Sequence, residues 1–493
     1  MKLASACLIC LALCHTGLAQ SDIILEVSRL EVEGRFKQAA ALLTRVLVSP
    51  SLRSEERRQL EFEHDRLERI KKDFSYSKQA LFRDLRKAVR ALTRAEFKQW
   101  ISAGWFDLRE VDGEQRFMSS SVSNLFFRHP ELESRRIPPR DSAAFDHAVL
   151  DTVTTIQHAA QQEGKAYVLP RHFRMRMCVT AKAGTAPAGQ VIHAWLPMPR
   201  AYPFQTDFKV LASSSPILQL APDNSSIRSA YLEQVALKNK PTAFWVEYRY
   251  TTYGARFDVK PDAVRPCDPN DPMLKPWLAE APHIVFTPEM RALSQQIAGN
   301  ESNPCLIAKK FHDWIAEHIQ YSYAIEYSTI RNIGDYCRAH GYGDCGQEAL
   351  LFMTLCRLNG IPARWQSGWN TFPGGKTIHD WCEIHFAPYG WVPVDAYMGI
   401  WAMRYATTLT PEQRRIVRDF YFGGLDQYRI SANRDHCQEL TPPKQSLRSD
   451  TVDFQRGELE WGEHNIYYDR YSWKLDVNGD DSAKSPATGA VKR

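Results

Sequence analysis

Outside its first nineteen residues the sequence has no Cys-x-x-Cys pair, which excludes the usual zinc and dithiol redox motifs. Cysteine is sparse: 11 residues in 493, three of them in that opening stretch. The other eight, from Cys178 to Cys437, follow no regular spacing, so a disulfide-built scaffold is excluded. Charge of one sign is equally scarce. Lys and Arg exceed Asp and Glu by 5, which does not indicate a nucleic-acid partner. The opening apolar run, Leu3 to Leu13, is too short to span a bilayer. It follows Lys2 and precedes small residues, with Gly17 and Ala19 placed for cleavage before Gln20. Residues 1–19 therefore read as a secretory signal, and the mature protein is expected in the periplasm or outside the cell. Leu13 stands where a lipid-attachment site at Cys14 wants a small residue, so anchoring there is not expected. Export would permit a disulfide, for example Cys267 with Cys305.

The overall composition is that of a globular α+β protein, and the length suits about three domains. Residues 20–160 read as helical. Ile24, Val27 and Leu30, then Phe36 to Leu43, recur at helical spacing on either side of Gly34. The pair resembles a single tetratricopeptide-like hairpin, without a second copy. The charged stretch Arg53 to Lys72 predicts a helix with a solvated basic face. This helical region is also the place for a protein partner. Residues 161–260 alternate instead, as in Phe173–Val179, Val191–Leu196 and Phe244–Tyr250, with turn residues between; they predict a β-sandwich. Residues 261–440 form the core, entered through a Pro- and Asp-rich linker and a helix opening at Thr287-Pro288-Glu289. A C-terminal β extension over 441–476 and a disordered tail over 477–493 complete the chain.

The chemistry concentrates between Gly341 and Met398. Asp344 is a good helix N-cap, and Gln347 three residues later completes a capping box. Ala349, Leu350, Phe352, Met353 and Leu358 supply the apolar face, and Gly360-Ile361-Pro362 ends the helix. Cys345 then sits on the first turn, where exposed N–H groups and the dipole are expected to lower its pKa and to hold an oxyanion. Ile378 to Phe386 predicts a strand carrying His379, Trp381, Glu383 and His385 on one face. Pro388-Tyr389-Gly390 turns the chain, and the return strand brings Asp395 close to His379. A histidine held in one tautomer by a carboxylate is what a nucleophilic thiol requires. His385 and Glu383 read as structural. His312 and His318, six apart, do not stack on one helix face, so no metal site is expected.

These residues match a pattern. Gly343-Asp344-Cys345, Gly360-Ile-Pro-Ala-Arg364, His379-x-Trp381-x-Glu383 and Asp395 resemble the transglutaminase-like superfamily, a papain-related fold of thiol enzymes. The resemblance covers roughly residues 285–400. It implies Cys345 as nucleophile, His379 as base and acid, Asp395 as orienting group, and no cofactor. The strands before the core look like the β-domain of bacterial relatives. Crosslinking transglutaminases of animals carry Tyr-Gly-Gln-Cys-Trp at the nucleophile, whereas this chain has Tyr342-Gly-Asp344-Cys345-Gly346 and no convincing calcium loop. The resemblance therefore implies hydrolysis of a peptide or protein amide, such as a cell-wall peptide, ahead of amine transfer. Gln320 and Tyr342 are the candidates for a second oxyanion donor, with Trp381 and Glu383 framing the site. A binding module without turnover is the alternative of a different class.

Overall fold

Phe36, Ala39 and Leu43 are buried along one stripe of a helix, as are Ile23, Val27 and Leu30 of the helix before it. The computed structural model describes residues 20–480; the expected signal with Cys14, and the chain beyond Asp480, lie outside the described residues. Two compact units emerge, one from residues up to 82 together with 107–119, the other from 83–106 and 120 onward.

The first unit contains α1 (Gln20–Val32), α2 (Phe36–Leu47) and α3 (Ser54–Asp73), with a small sheet of β1 (Tyr76–Ser77), β2 (Leu108–Val111) and β3 (Glu114–Phe117). Gly34, at φ +72°, makes the α1–α2 turn; a Cβ there would lie 2.9 Å from the Glu110 carbonyl oxygen. The basic face of α3 is not simply solvated. Arg66 and Arg69 are buried, paired with Glu31 and Glu63 and with Asp65 respectively, and the Glu31 pair turns Arg66 toward α1. The chain then runs through α4 (Lys78–Ala88) and α5 (Arg94–Ser102).

The second unit departs from the expected boundaries. Its α6 (Ser121–Arg128) and α7 (Ala143–Glu163) fall within the region read as a separate helical module. They belong to this larger unit because their apolar faces are covered within it. Ile156 of α7 presses against Gly254, where an added Cβ would meet it at 2.7 Å, and Phe145 packs edge-on against Phe372 and Trp401.

Strands β4 (Tyr167–Ala181), β5 (Val191–Pro197), β6 (Gln205–Ser213), β7 (Ile217–Leu220), β8 (Ser229–Val235) and β9 (Thr242–Arg256) build most of two sheets. The core follows with α8 (Pro288–Ala298), α9 (Pro304–His318), the short parallel pair β10 (Gln320–Tyr321) and β11 (Tyr342–Gly343), and α10 (Ile333–His340) between them. Next come α11 (Cys345–Leu358), β12 (Ala363–Asn370), β13 (Thr377–Phe386), β14 (Gly390–Val394), α12 (Ala396–Arg404), α13 (Pro411–Phe420), β15 (Gly424–Leu425) and β16 (Arg429–Asn433). The core sheet runs β14-β13-β12-β16, all antiparallel.

The C-terminal strands are no separate extension. β17 (Glu458–Trp461) pairs with β5 and with β18 (His464–Ile466), completing the sheet β18-β17-β5-β8-β7. β19 (Tyr471–Asp480) pairs with β4 along its length, in the sheet β15-β9-β4-β19 with β6 also on β9. The strand carries on to Asp480, past the expected start of the tail at Val477, because β4 offers partners as far as Phe173. The core is thus inserted between strands of the sandwich. Among the described residues all eight cysteines are free, so Cys267 and Cys305 do not pair. Cys267 Sγ instead faces the Gly360 carbonyl oxygen at 3.2 Å, and Cys305 is buried at the start of α9. No helix among the described residues is long and apolar enough to cross a membrane.

Candidate active site

α11 starts where Asp344 caps it. Asp344 Oδ1 accepts the Gln347 N–H (3.2 Å), and Gln347 Oε1 accepts the Asp344 N–H (3.2 Å). Tyr327 Oη donates to the same Asp344 Oδ1 at 2.5 Å. Cys345 occupies the first helical position and keeps part of its surface open. Its Sγ lies 3.5 Å from Asp380 Oδ2. Burial, then the charges of Asp380 and Asp344, push this thiol well above its ordinary value. The lowered pKa expected from the helix start is therefore overturned. The helix end contributes a partial charge, while a protein-dense setting and the two nearby carboxyls, wherever they are ionised, act against the thiolate. The carboxyls are themselves displaced: burial raises Asp344 to about 6, and burial with Asp344 raises Asp380 well above the carboxylate range.

β13 explains which side chains meet. Its register places His379, Trp381 and Glu383 opposite Gly368, Gln366 and Arg364, on one face. Asp380 and Cys382 alternate to the other, and Asp380 Oδ2 reaches Cys345 Sγ. His379 Nε2 is 2.7 Å from Asp395 Oδ2, and both side chains are buried. Asp395 ends β14 and caps α12, its Oδ1 accepting the Met398 N–H at 3.0 Å. Its Oδ2 also accepts from Arg429 Nη1 at 2.8 Å. Burial pushes this carboxyl up, but His379, Arg429 and the helix N–H prevail and hold it at about 2. With Nε2–H committed to Asp395, Nδ1 is the ring nitrogen left to exchange a proton.

The remaining expected site residues fall into place differently. Glu383 Oε2 accepts from Arg364 Nε and Gln366 Nε2, both at 2.7 Å, and Trp381 packs with Phe204, Ala255 and Leu425. Trp381 thereby joins the core sheet to the sandwich, whereas Glu383 is bonded within the core sheet. Gln320 and Tyr342, expected as candidate oxyanion donors, both make contacts with Arg128 of α6. The parallel register of β10 and β11 sets them side by side, toward α6. There Gln320 Nε2 donates to the Arg128 carbonyl oxygen (2.9 Å), and the Arg128 guanidinium lies 3.6 Å from the centre of the Tyr342 ring.

Several residues at the site carry no motif signal. Arg429 and Gln455 come from segments well after the motif stretch. Gln455 Nε2 donates to Asp380 Oδ1 (2.7 Å) and to the His379 carbonyl oxygen (3.0 Å). Tyr321 stands beside Tyr397 (4.9 Å between ring centres), and Tyr397 packs edge-on against His379 (5.4 Å). Asp380 was visible in the sequence between His379 and Trp381, but the alternation of the strand directs attention away from it. Glu348, one turn after Cys345, is wholly buried, and neither carboxyl oxygen has a hydrogen-bond partner.

Residues 291–396 match the family model of the transglutaminase-like superfamily, and this segment carries that domain. An uncharacterized protein of Haemophilus influenzae is 23% identical over 198 residues, 34% of this chain and 52% of its own. The chain thus spans about half the length of the curated relative it matches. Among solved structures, a candidate cysteine protease from Cytophaga hutchinsonii is similar with 15% identity over 66% of this chain and 96% of its own, at a TM-score of 0.41. The periplasmic domain of TgpA from Pseudomonas aeruginosa is 13% identical over 51% of this chain and 96% of its own, at a TM-score of 0.26.

Proposed function

We propose that this transglutaminase-like domain belongs to an exported thiol enzyme that hydrolyses an amide bond of a peptide or protein, through Cys345, His379 and Asp395. One observation carries the reading: His379 is tied through Nε2 to a buried carboxylate, on the strand whose next residue touches the sulfur of a helix-capped cysteine. Asp395 fixes the imidazole's tautomer and orientation, and the Nδ1 atom serves the reacting groups.

Because the resting thiol is not readily ionised, His379 acts as general base during attack. The thiol proton passes to Nδ1 as sulfur bonds to the amide carbon, and the first N–H groups of α11 meet the developing oxyanion. His379 then protonates the departing nitrogen as the C–N bond breaks, leaving a thioester. Water gives a proton to His379 and its oxygen to the carbonyl carbon; the C–S bond breaks and sulfur regains the proton. Asp344 and Gly346, in place of the Gln and Trp of crosslinking enzymes, favour water over an amine as acceptor. A cell-wall peptide is the substrate class that suits an exported enzyme.

The test offers a glutamine-containing peptide library to the full chain, with and without a labelled amine, in ¹⁸O-water. Cleavage or deamidation with one ¹⁸O taken up, lost in Cys345→Ala, supports hydrolysis. Amine incorporation outrunning ¹⁸O uptake overturns it in favour of transfer. If iodoacetamide leaves Cys345 unmodified in the native protein, the thiol mechanism itself fails.

A further inference from the structure

We propose that Asp380 is a further catalytic residue, whose Oδ2 keeps a proton and donates it in a hydrogen bond to Cys345 Sγ; this rests on the thiol-enzyme reading above. The sulfur and Oδ2 are 3.5 Å apart, a contact that two anions would make unfavourable in a buried site and that a proton on Oδ2 makes favourable once the thiol proton has left for His379. The other oxygen is already engaged. Oδ1 accepts the Gln455 amide at 2.7 Å, which leaves Oδ2 as the atom to carry the proton. The same Gln455 nitrogen donates to the His379 carbonyl oxygen, so one side chain sets both the histidine's backbone and the acid.

The helix start is shaped to admit this carboxyl. A Cβ at Gly346 would lie 2.8 Å from Asp380 Oδ2 and 2.2 Å from Tyr327 Oη. Only a glycine after the nucleophile leaves room for both groups. The charges that bear on Asp380 are mostly negative: Asp344 at the helix cap, and Asp450 from the segment before β17. Asp453 of that segment also faces it, and Arg456 there is the opposing cation. Tyr327 bridges the side of Asp344, and His379 is the neighbour along β13. An acid surrounded mainly by acids, in a dry setting, holds its proton.

The proton inventory is consistent. During attack the thiol proton goes to His379 Nδ1, while the Asp380 proton stays on Oδ2. During thioester hydrolysis the C–S bond breaks and sulfur departs toward the Asp380 O–H, which stabilises it as a leaving group. No oxidant or co-reactant is needed. Once Asp380 ionises, the same position opposes the thiolate, so the site is made to work while the acid is neutral.

The experiment measures iodoacetamide modification of Cys345 in the folded full chain from pH 5 to pH 9, by peptide mass spectrometry, for wild type, Asp380→Asn and Asp380→Ala. Asp380→Asn keeps the shape and cannot ionise. Its rate at pH 6 should fall a few-fold, while its ratio of rates at pH 9 to pH 6 should exceed the wild-type ratio at least fivefold. Asp380→Ala lacks the donor, and its rate at pH 6 should fall about tenfold. Melting curves confirm folding, and if the alanine variant does not fold the asparagine variant decides. Wild-type and Asp380→Asn profiles that superpose, with Cys345 still modified in a His379-dependent way, overturn the role of Asp380 alone. Modification of Cys345 that is absent, or indifferent to His379→Ala, overturns the thiol-enzyme reading.

Discussion

Replacing Arg429 by methionine tests the electrostatic foundation of the site. Arg429 is fully buried and donates to Asp395 Oδ2 through Nη1 (2.8 Å) and to Asp426 Oδ2 through Nε (3.0 Å). Methionine fills much of the volume and removes the cation, leaving two buried carboxyls without it. Breaking a buried pair in this way costs about 3–5 kcal/mol. The titration changes in a stated direction. Asp395 is held at about 2, so it contributes stability above its unfolded value, and this is lost as pH falls toward 2. Without Arg429, burial is less well opposed, the folded value rises toward the unfolded one, and the acid loss that depends on Asp395 becomes smaller and is complete at higher pH. His379 would then lose the charge that fixes it, and Cys345 should react with iodoacetamide at least tenfold more slowly at pH 5. Since the chain contains two compact units, a local readout is needed. Hydrogen exchange across α12, whose Met398 N–H bonds Asp395, should show protection lowered by about 4 kcal/mol at pH 7 and by less at pH 4, where the variant's Asp395 takes up a proton. A variant within 1 kcal/mol of wild type at both pH values would refute the assigned role of the buried cation.

Two further outcomes follow from the geometry. Glu348 is buried without a hydrogen-bond partner, and burial with Asp344 and Asp395 pushes it well up. A carboxyl raised in the fold loses stability as pH climbs above its unfolded value, so Glu348→Gln should match wild type at pH 4 and gain about 1–3 kcal/mol at pH 8 in urea titrations. Gly346→Ala places a methyl 2.2 Å from Tyr327 Oη, so it should cost about 1–3 kcal/mol and slow Cys345 modification more than tenfold, measured by melting and alkylation.

The elements most readable from sequence were those with local causes. The cap at Asp344, the helix it opens and the strand of His379 each rest on residues a few positions apart. Asp395 was readable because a hairpin turn limits where its partner strand can go. Arg429, Asp380 and Gln455 were harder. Arg429 and Gln455 reach the site through tertiary contacts that no periodicity marks, and Asp380 lies on the face of β13 opposite to the histidine. The expected pKa of Cys345 had the wrong sign for the same reason: the helix end is a local feature, whereas the acids that oppose it are brought in by the fold. The helical region and the C-terminal strands were assigned to modules by adjacency in the chain. Apolar faces and sheet edges pair with whatever covers them, so α7 and β19 joined the sandwich instead.

The insertion of the core between strands of the sandwich has a consequence for biosynthesis. Cys345, His379 and Asp395 leave the ribosome before Gln455, β17 and β19 exist. A chain still being made, or one truncated ahead of residue 455, lacks the amide that orients Asp380 and the strand that closes the sheet on β4. The surroundings of Cys345 are therefore completed only by the last part of the polypeptide. Nascent and prematurely terminated chains carry the thiol without its finished setting.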